Sequence, residues 1–186
     1  MQSFVAKVLH ALEEEGHIAR EEHTHYAYGL ELLASSTLSI LAMLVMGAFL
    51  GKGKMVALLL LFLIPLQSFA GGYHATTHMR CFAITSCVIL ACVFAVPFFS
   101  LAVWTVCGVL ASIIIAIMAP VQNKKAPFGE TFSRRMKRVV YMLLFLAAIL
   151  FWATMTAQPI VARLIALSMV CTAISVICGR LFQHIE

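Results

Sequence analysis

Residues 81–123 read CFAITSCVILACVFAVPFFSLAVWTVCGVLASIIIAIMAPVQN, 43 consecutive positions without a Lys, Arg, Asp or Glu. As one helix rising about 1.5 Å per residue this stretch would be roughly 65 Å long, about twice the ~30 Å hydrocarbon thickness of a bilayer. It therefore reads as two spans, with the break at Pro97-Phe98-Phe99-Ser100. The pattern repeats outward from this pair. Leu32 to Gly51 is uncharged and ends in Gly51-Lys52-Gly53-Lys54, whose glycines allow a tight reversal, and Met55 to about Phe69 returns. Val139 to about Ala157 is a fifth run, Gln158-Pro159 a turn, and Ile160 to Gly179 a sixth and shorter run with Arg163 near its start.

Composition agrees. The 186 residues are 62% apolar and 11% charged, with a mean hydropathy of +0.99, whereas soluble domains average about 45–50% and 25%. A soluble globule is excluded. Six spans of roughly 20 residues use about 120 positions, which leaves no room for a large soluble domain. The expectation is an all-α integral membrane protein of about six transmembrane helices, with four spans plus re-entrant segments as the alternative. The chain reads as a single membrane-embedded domain, 1–186. Its polar N-terminal region, 1–29, carries an amphipathic helix in which Phe4, Val5, Val8, Leu9 and Leu12 form one apolar stripe. Five acidic residues before position 23, and no apolar core with a small-residue cleavage site, mean that this region does not read as a signal peptide.

The net charge is +5, but the cations sit between apolar runs and do not line a polar face, which argues for anionic lipid or an acidic substrate and against nucleic acid. The one long polar loop, 122–138, holds Lys124, Lys125, Arg134, Arg135, Lys137 and Arg138. With six spans, ten of the 13 Lys and Arg fall on the side of the termini and three, Lys52, Lys54 and Arg163, on the other. The positive-inside rule then puts both termini in the cytoplasm. Five of the six cysteines lie on or in apolar runs without framework spacing, so they read as free thiols.

Chemistry concentrates in one segment between the second and third runs, Ala70-Gly71-Gly72-Tyr73-His74-Ala75-Thr76-Thr77-His78-Met79-Arg80-Cys81. A cysteine is a nucleophile as its thiolate, which a neighbouring cation, an imidazole or a helix N-terminus favours. Arg80 adjoins Cys81, His78 precedes it by three residues, and Thr76 and Thr77 are candidate N-caps. On one continuous helix His74 would stand roughly 10 Å from Cys81, so His74 serves the thiol only if the chain bends, a freedom that Gly71-Gly72 supplies. His78 meets it directly at i, i+3, and spacing alone favours His78. Two other readings stay open: a hairpin whose interfacial His and Cys merely satisfy one another, and a His-x3-His-x2-Cys metal site. His17, His23 and His25 with Glu21 and Glu22 read as a solvated helix face.

Gly71-Gly72-Tyr73-His74-Ala75 with a Cys seven residues after the His resembles the active-site region of the accessory gene regulator B (AgrB) family of bacterial membrane endopeptidases. Chain length, span order, the amphipathic N-terminus, and Ala119-Pro120 followed by Asn123-Lys124-Lys125 extend the resemblance over most of the chain. It implies that His74 is the base and Cys81 the nucleophile, and that a short pro-peptide is cut and cyclised into a quorum-sensing signal. It implies no cofactor and no metal. Gly71, Gly72, Gln67, Ser68, His78 and Arg80 become candidate supporting residues, and Lys124, Lys125, Arg134 and Arg135 candidates for holding the acidic tail expected on the substrate. Where family members commonly carry a basic residue before the Gly pair, this chain has Gln67 and Ser68. The expected setting is a bacterial cell membrane with the active site on the cytoplasmic side. Expected partners are the pro-peptide and membrane lipids, with a second copy of the chain left open. A small transporter and a non-catalytic membrane protein remain the competing classes, although the near absence of ionisable residues in mid-span counts against transport.

Overall fold

The computed structural model describes residues 23–72, 78–121 and 130–183. These form six helices and, among the described residues, no strand. They are α1 (His23–Phe49), α2 (Gly53–Ala70), α3 (His78–Ala95), α4 (Leu101–Met118), α5 (Glu130–Thr154) and α6 (Pro159–Gln183), with a 3₁₀ turn over Val96–Phe98. Four stretches, Gly53–Ala70, Leu101–Met118, Thr131–Thr154 and Pro159–Leu181, are long and apolar enough to cross a bilayer, while Leu33–Phe49 and Phe82–Phe98 are shorter apolar helices. The all-α membrane architecture read from the sequence is therefore present. The described part of the chain divides at Met46/Gly47 into two compact units.

Four helix ends follow directly from local chemistry. α1 closes on Gly51, whose φ of +68° is open to glycine; Gly51 N donates to Ala48 O at 3.0 Å and Lys52 N to Gly47 O at 2.8 Å. This is a Schellman pair, which satisfies carbonyls that the helix end would otherwise leave bare. At the predicted break, Pro97 ends α3 through the 3₁₀ turn, and the Ser100 side chain caps α4 by accepting from Val103 N. Trp104 closes this end of the bundle, its Nε1 donating to Val96 O at 3.3 Å and its ring edge-on to Phe99. Pro159 opens α6 at the first helical position, where its missing N–H leaves no bond unmade.

Three boundaries differ from the sequence reading. His23–Gly29, assigned to the polar N-terminal region, are helical and continuous with α1, and the stripe from Phe4 to Leu12 lies outside the described residues. The basic loop is shorter than expected, because α5 begins at Glu130; Arg134, Arg135, Lys137 and Arg138 ride on its first turns. α6 continues through Arg163 without interruption and ends at Gln183. The Arg163 Nε is buried without a hydrogen-bond partner.

α6 is the centre of the second unit. α2, α4 and α5 all pack on it, and 61% of its apolar window is buried, against 6% for α5. Ala162, Leu164, Ile165, Ala166, Leu167 and Met169 are buried in near-continuous sequence, so this part of α6 is enclosed by protein on all sides, while Ile160, Ile174 and Leu181 stay exposed. Close approach of α4 depends on Gly108, where an added Cβ would sit 3.1 Å from Ala166 Cβ. The core continues through Leu66, Ala70, Ala111, Ile115, Val140, Ala173 and Val176. The exposed side chains of α5, among them Met142, Phe145, Ile149 and Trp152, are lipid-facing in a membrane protein.

Candidate active site

Antiparallel succession brings the C-terminal ends of α2, α4 and α6 and the N-terminal ends of α3 and α5 to one end of the bundle. Cross-links at that end are explicit. Val121 N donates to Ala70 O at 2.9 Å, Gln67 Nε2 to Ser175 Oγ at 3.1 Å, and an Arg180 Nη to Met118 O at 2.7 Å. Tyr141 Oη on α5 donates to Ala116 O at 3.3 Å. The last residues of α2 are thus tied to the chain that follows α4 and to α6.

The Gly pair lies within this set of ties. α2 stops because Gly71 takes φ 70° and ψ −170°, with its N–H still bonded to Gln67 O. A residue with a Cβ reaches that backbone region only under strain. A Cβ on Gly71 would also come within 2.5 Å of Val121 O, and one on Gly72 would fall on the Ser175 hydroxyl and lie 3.1 Å from Ser175 Cβ. Gly71 is needed for both contact and conformation, Gly72 for contact. Val121 follows Pro120, which is joined to Ala119 by a cis peptide bond.

The structure thus brings together three of the sequence candidates, Gln67, Gly71 and Gly72. Ser68 turns away: its Oγ donates back to Ile64 O at 2.7 Å on an exposed face of α2. His78, Arg80 and Cys81 occupy the first turn of α3; the orientations of their side chains are outside what is described. His74 lies in 73–77, and Lys124 and Lys125 in 122–129, outside the described residues. Arg134 and Arg135 are exposed on α5 at the same end of the bundle, and Lys137 lies 5.8 Å from the centre of the Tyr141 ring.

Sequence reasoning missed Ser175 and Arg180. A signal for Ser175 was present: Ser168, Thr172 and Ser175 recur at i, i+4 and i+7, a small polar stripe on one face of an otherwise apolar helix. Two of these hydroxyls bond back within α6, Ser168 to Ile165 O at 2.7 Å and Thr172 to Ser168 O at 2.9 Å, the usual way to satisfy a buried hydroxyl in a helix. Ser175 accepts from another helix.

Fold and site together define a polytopic all-α membrane protein with a glycine pair docked at one edge of its bundle, and a helix beginning six residues further on that opens with His, Arg and Cys. A comparison with protein families gives a match to the one described as Accessory gene regulator B, over residues 5–176. The chain belongs to this AgrB family, whose members are membrane-associated, peptidase-like proteins that process quorum-sensing pro-peptides. Among curated proteins and among solved structures no match was found.

Proposed function

We propose that the chain is a cysteine endopeptidase and cyclase in which Cys81 is the nucleophile and His74 the base. The observation that carries this reading is the docking of Gly71-Gly72 against Val121 and Ser175, directly before the segment that holds both residues. A chain held that closely at one point and reversed at a glycine is suited to bending His74 back toward Cys81. His74 takes the thiol proton, and the thiolate attacks a substrate backbone carbonyl. The C–N bond then breaks as the imidazolium protonates the leaving amine. The product is a thioester on Cys81 and a released C-terminal tail. A Cys or Ser side chain of the bound peptide next attacks the thioester, its proton passing to His74. A thiolactone or lactone ring closes, and Cys81 leaves as a thiolate that is reprotonated. Backbone N–H groups near Cys81 are the candidate oxyanion donors, and the apolar boundary limits the supply of water.

In this reading the site end of the bundle faces the cytoplasm, as the ten-to-three division of Lys and Arg favours. Lys124, Lys125, Arg134 and Arg135 attract an acidic tail there. The test uses a pro-peptide from a neighbouring reading frame, given to purified protein in lipid vesicles. Cys81→Ala should abolish tail release and His74→Ala should lower its rate by about 10²–10⁴, while His78→Ala costs a modest factor. The reverse ranking of the two histidines would assign the chemistry to the i, i+3 pair. Loss of activity with a chelator would restore the metal-site alternative. A ring lighter by one water than the linear fragment identifies cyclisation; linear product formed at the rate of tail release identifies a plain endopeptidase.

A further inference from the structure

We infer that Cys92 and Cys171 form a redox clasp: a peroxide joins their sulfurs in a disulfide that fastens α3 to the central helix α6, and a thiol reductant releases it. The inference concerns two thiols that the proposed peptidase chemistry does not use, and it stands whether or not the His74–Cys81 reading does.

Cys92 stands on α3 and Cys171 on α6, and their side chains are hydrogen-bonded to one another. Packing around the pair keeps the two helices together there. Cys92 borders the buried stripe Ile89, Val93 and Val96, and one turn beyond it the 3₁₀ turn that ends α3 packs on α6. Val96 O accepts from Trp104 of α4, and Gly108 of the same helix meets Ala166, five residues before Cys171. Both thiols are free and half-buried, so a small uncharged oxidant has access to them. With hydrogen peroxide the step balances without a metal. One sulfur attacks the O–O bond and becomes a sulfenic acid as the first water leaves; the second sulfur then attacks the sulfenic sulfur, and the OH departs with the thiol proton as a second water. Two thiols have lost two electrons and two protons, and one peroxide has become two waters. Sulfurs already in contact have only the remaining gap to the ~2.05 Å of an S–S bond to close. The link would enclose residues 93–170, a loop that holds all of α4 and α5, and so would restrict the unfolded chain strongly.

The test uses the full chain in lipid vesicles with Cys81→Ser, so that the proposed nucleophile takes no part and a failure here says nothing about the peptidase reading. After treatment with hydrogen peroxide, remaining thiols are blocked with N-ethylmaleimide under denaturing conditions. The protein is then reduced, and newly freed thiols receive an isotopically heavy maleimide that is located by peptide mass spectrometry. Heavy label should appear at Cys92 and Cys171 in equal amounts, in chains that migrate as monomers without reductant and weigh two mass units less than the parent before blocking. Its level should exceed that at Cys87, the exposed cysteine on the same face-to-solvent helix α3, by about tenfold or more. Cys92→Ser should lower the label at Cys171 about tenfold, and Cys171→Ser should do the same at Cys92. Linked chains should also withstand a denaturing detergent to a higher concentration than the same chains after dithiothreitol. Label at Cys87 equal to that at Cys92 would show that access and not contact decides oxidation, and would overturn the inference. So would label at Cys171 that survives Cys92→Ser, or linked chains that unfold no later than reduced ones, since a link formed from the native contact must favour the native fold.

Discussion

Replacing Gly71 by Ala should damage the protein more than the same change at any other glycine with positive φ, and the structure allows the margin to be worked out. Gly71 holds φ 70° with ψ −170°, a region whose occupation by a residue with a Cβ costs about 1–3 kcal/mol. The new Cβ would also stand 2.5 Å from Val121 O and 3.3 Å from Val121 N. Val121 must retreat, and its 2.9 Å bond to Ala70 O goes with it, a loss of about 0.5–1.5 kcal/mol. The expected total is ~2–4 kcal/mol. Gly51 is the internal control: its φ is +68°, yet nothing lies within 4 Å of a Cβ built there. Gly51→Ala should therefore show conformational strain alone, ~1–2 kcal/mol. Unfolding of the two purified variants in mixed micelles by titration with a denaturing detergent, followed by helical circular dichroism, measures the difference. Equal losses at the two positions would show that Val121 is not held against Gly71 and would remove the docking on which the site is built.

The cations on the first turns of α5 give a second expectation. Neutralising Arg134, Arg135, Lys137 and Arg138 together should weaken pro-peptide binding and flatten its dependence on salt, each exposed contact contributing ~1 kcal/mol or less. Binding unchanged in both respects would leave these residues a topological role only. Orientation is open to single-cysteine labelling with an impermeant maleimide on intact cells: a site at Lys52 or Lys54 should react from outside and one among Arg134–Arg138 only after permeabilisation. Labelling of both from the same side would replace six spans by four with re-entrant segments.

Much of the fold was legible because its determinants are local. An uncharged run of 43 residues is too long for one crossing, Pro97 and Ser100 mark its break, and Gly51 marks a reversal, whichever way the rest of the bundle packs. Helix starts were harder to read where polar residues ride on a helix that later becomes apolar. Charge at Arg134 to Arg138 looks like a loop, although cations cost a helix little when they face water. The identity of the central helix could not be read at all. Hydropathy scores a lipid-facing residue such as Phe145 like a buried one such as Leu164, because lipid tails and a protein core are equally apolar. The site was legible by half for the same reason. Gly71 and Gly72 stand out in sequence, whereas their neighbours Val121 and Ser175 are brought to them by packing alone. The hydroxyl stripe of α6 was the one trace that the contact left in the sequence.

That the innermost helix is also the one synthesised after the helices it joins has a bearing on biogenesis. α2 to α5 leave the ribosome and enter the membrane before α6 exists, and until it arrives Gly108 has no Ala166 to meet and Gln67 no Ser175. The early intermediate is then a set of spans whose glycine pair lacks its contact with α6. Maturation of such a protein waits on α6, so a nascent chain stalled before it would be inserted with Gly72 and Gly108 still lacking their contacts at Ser175 and Ala166.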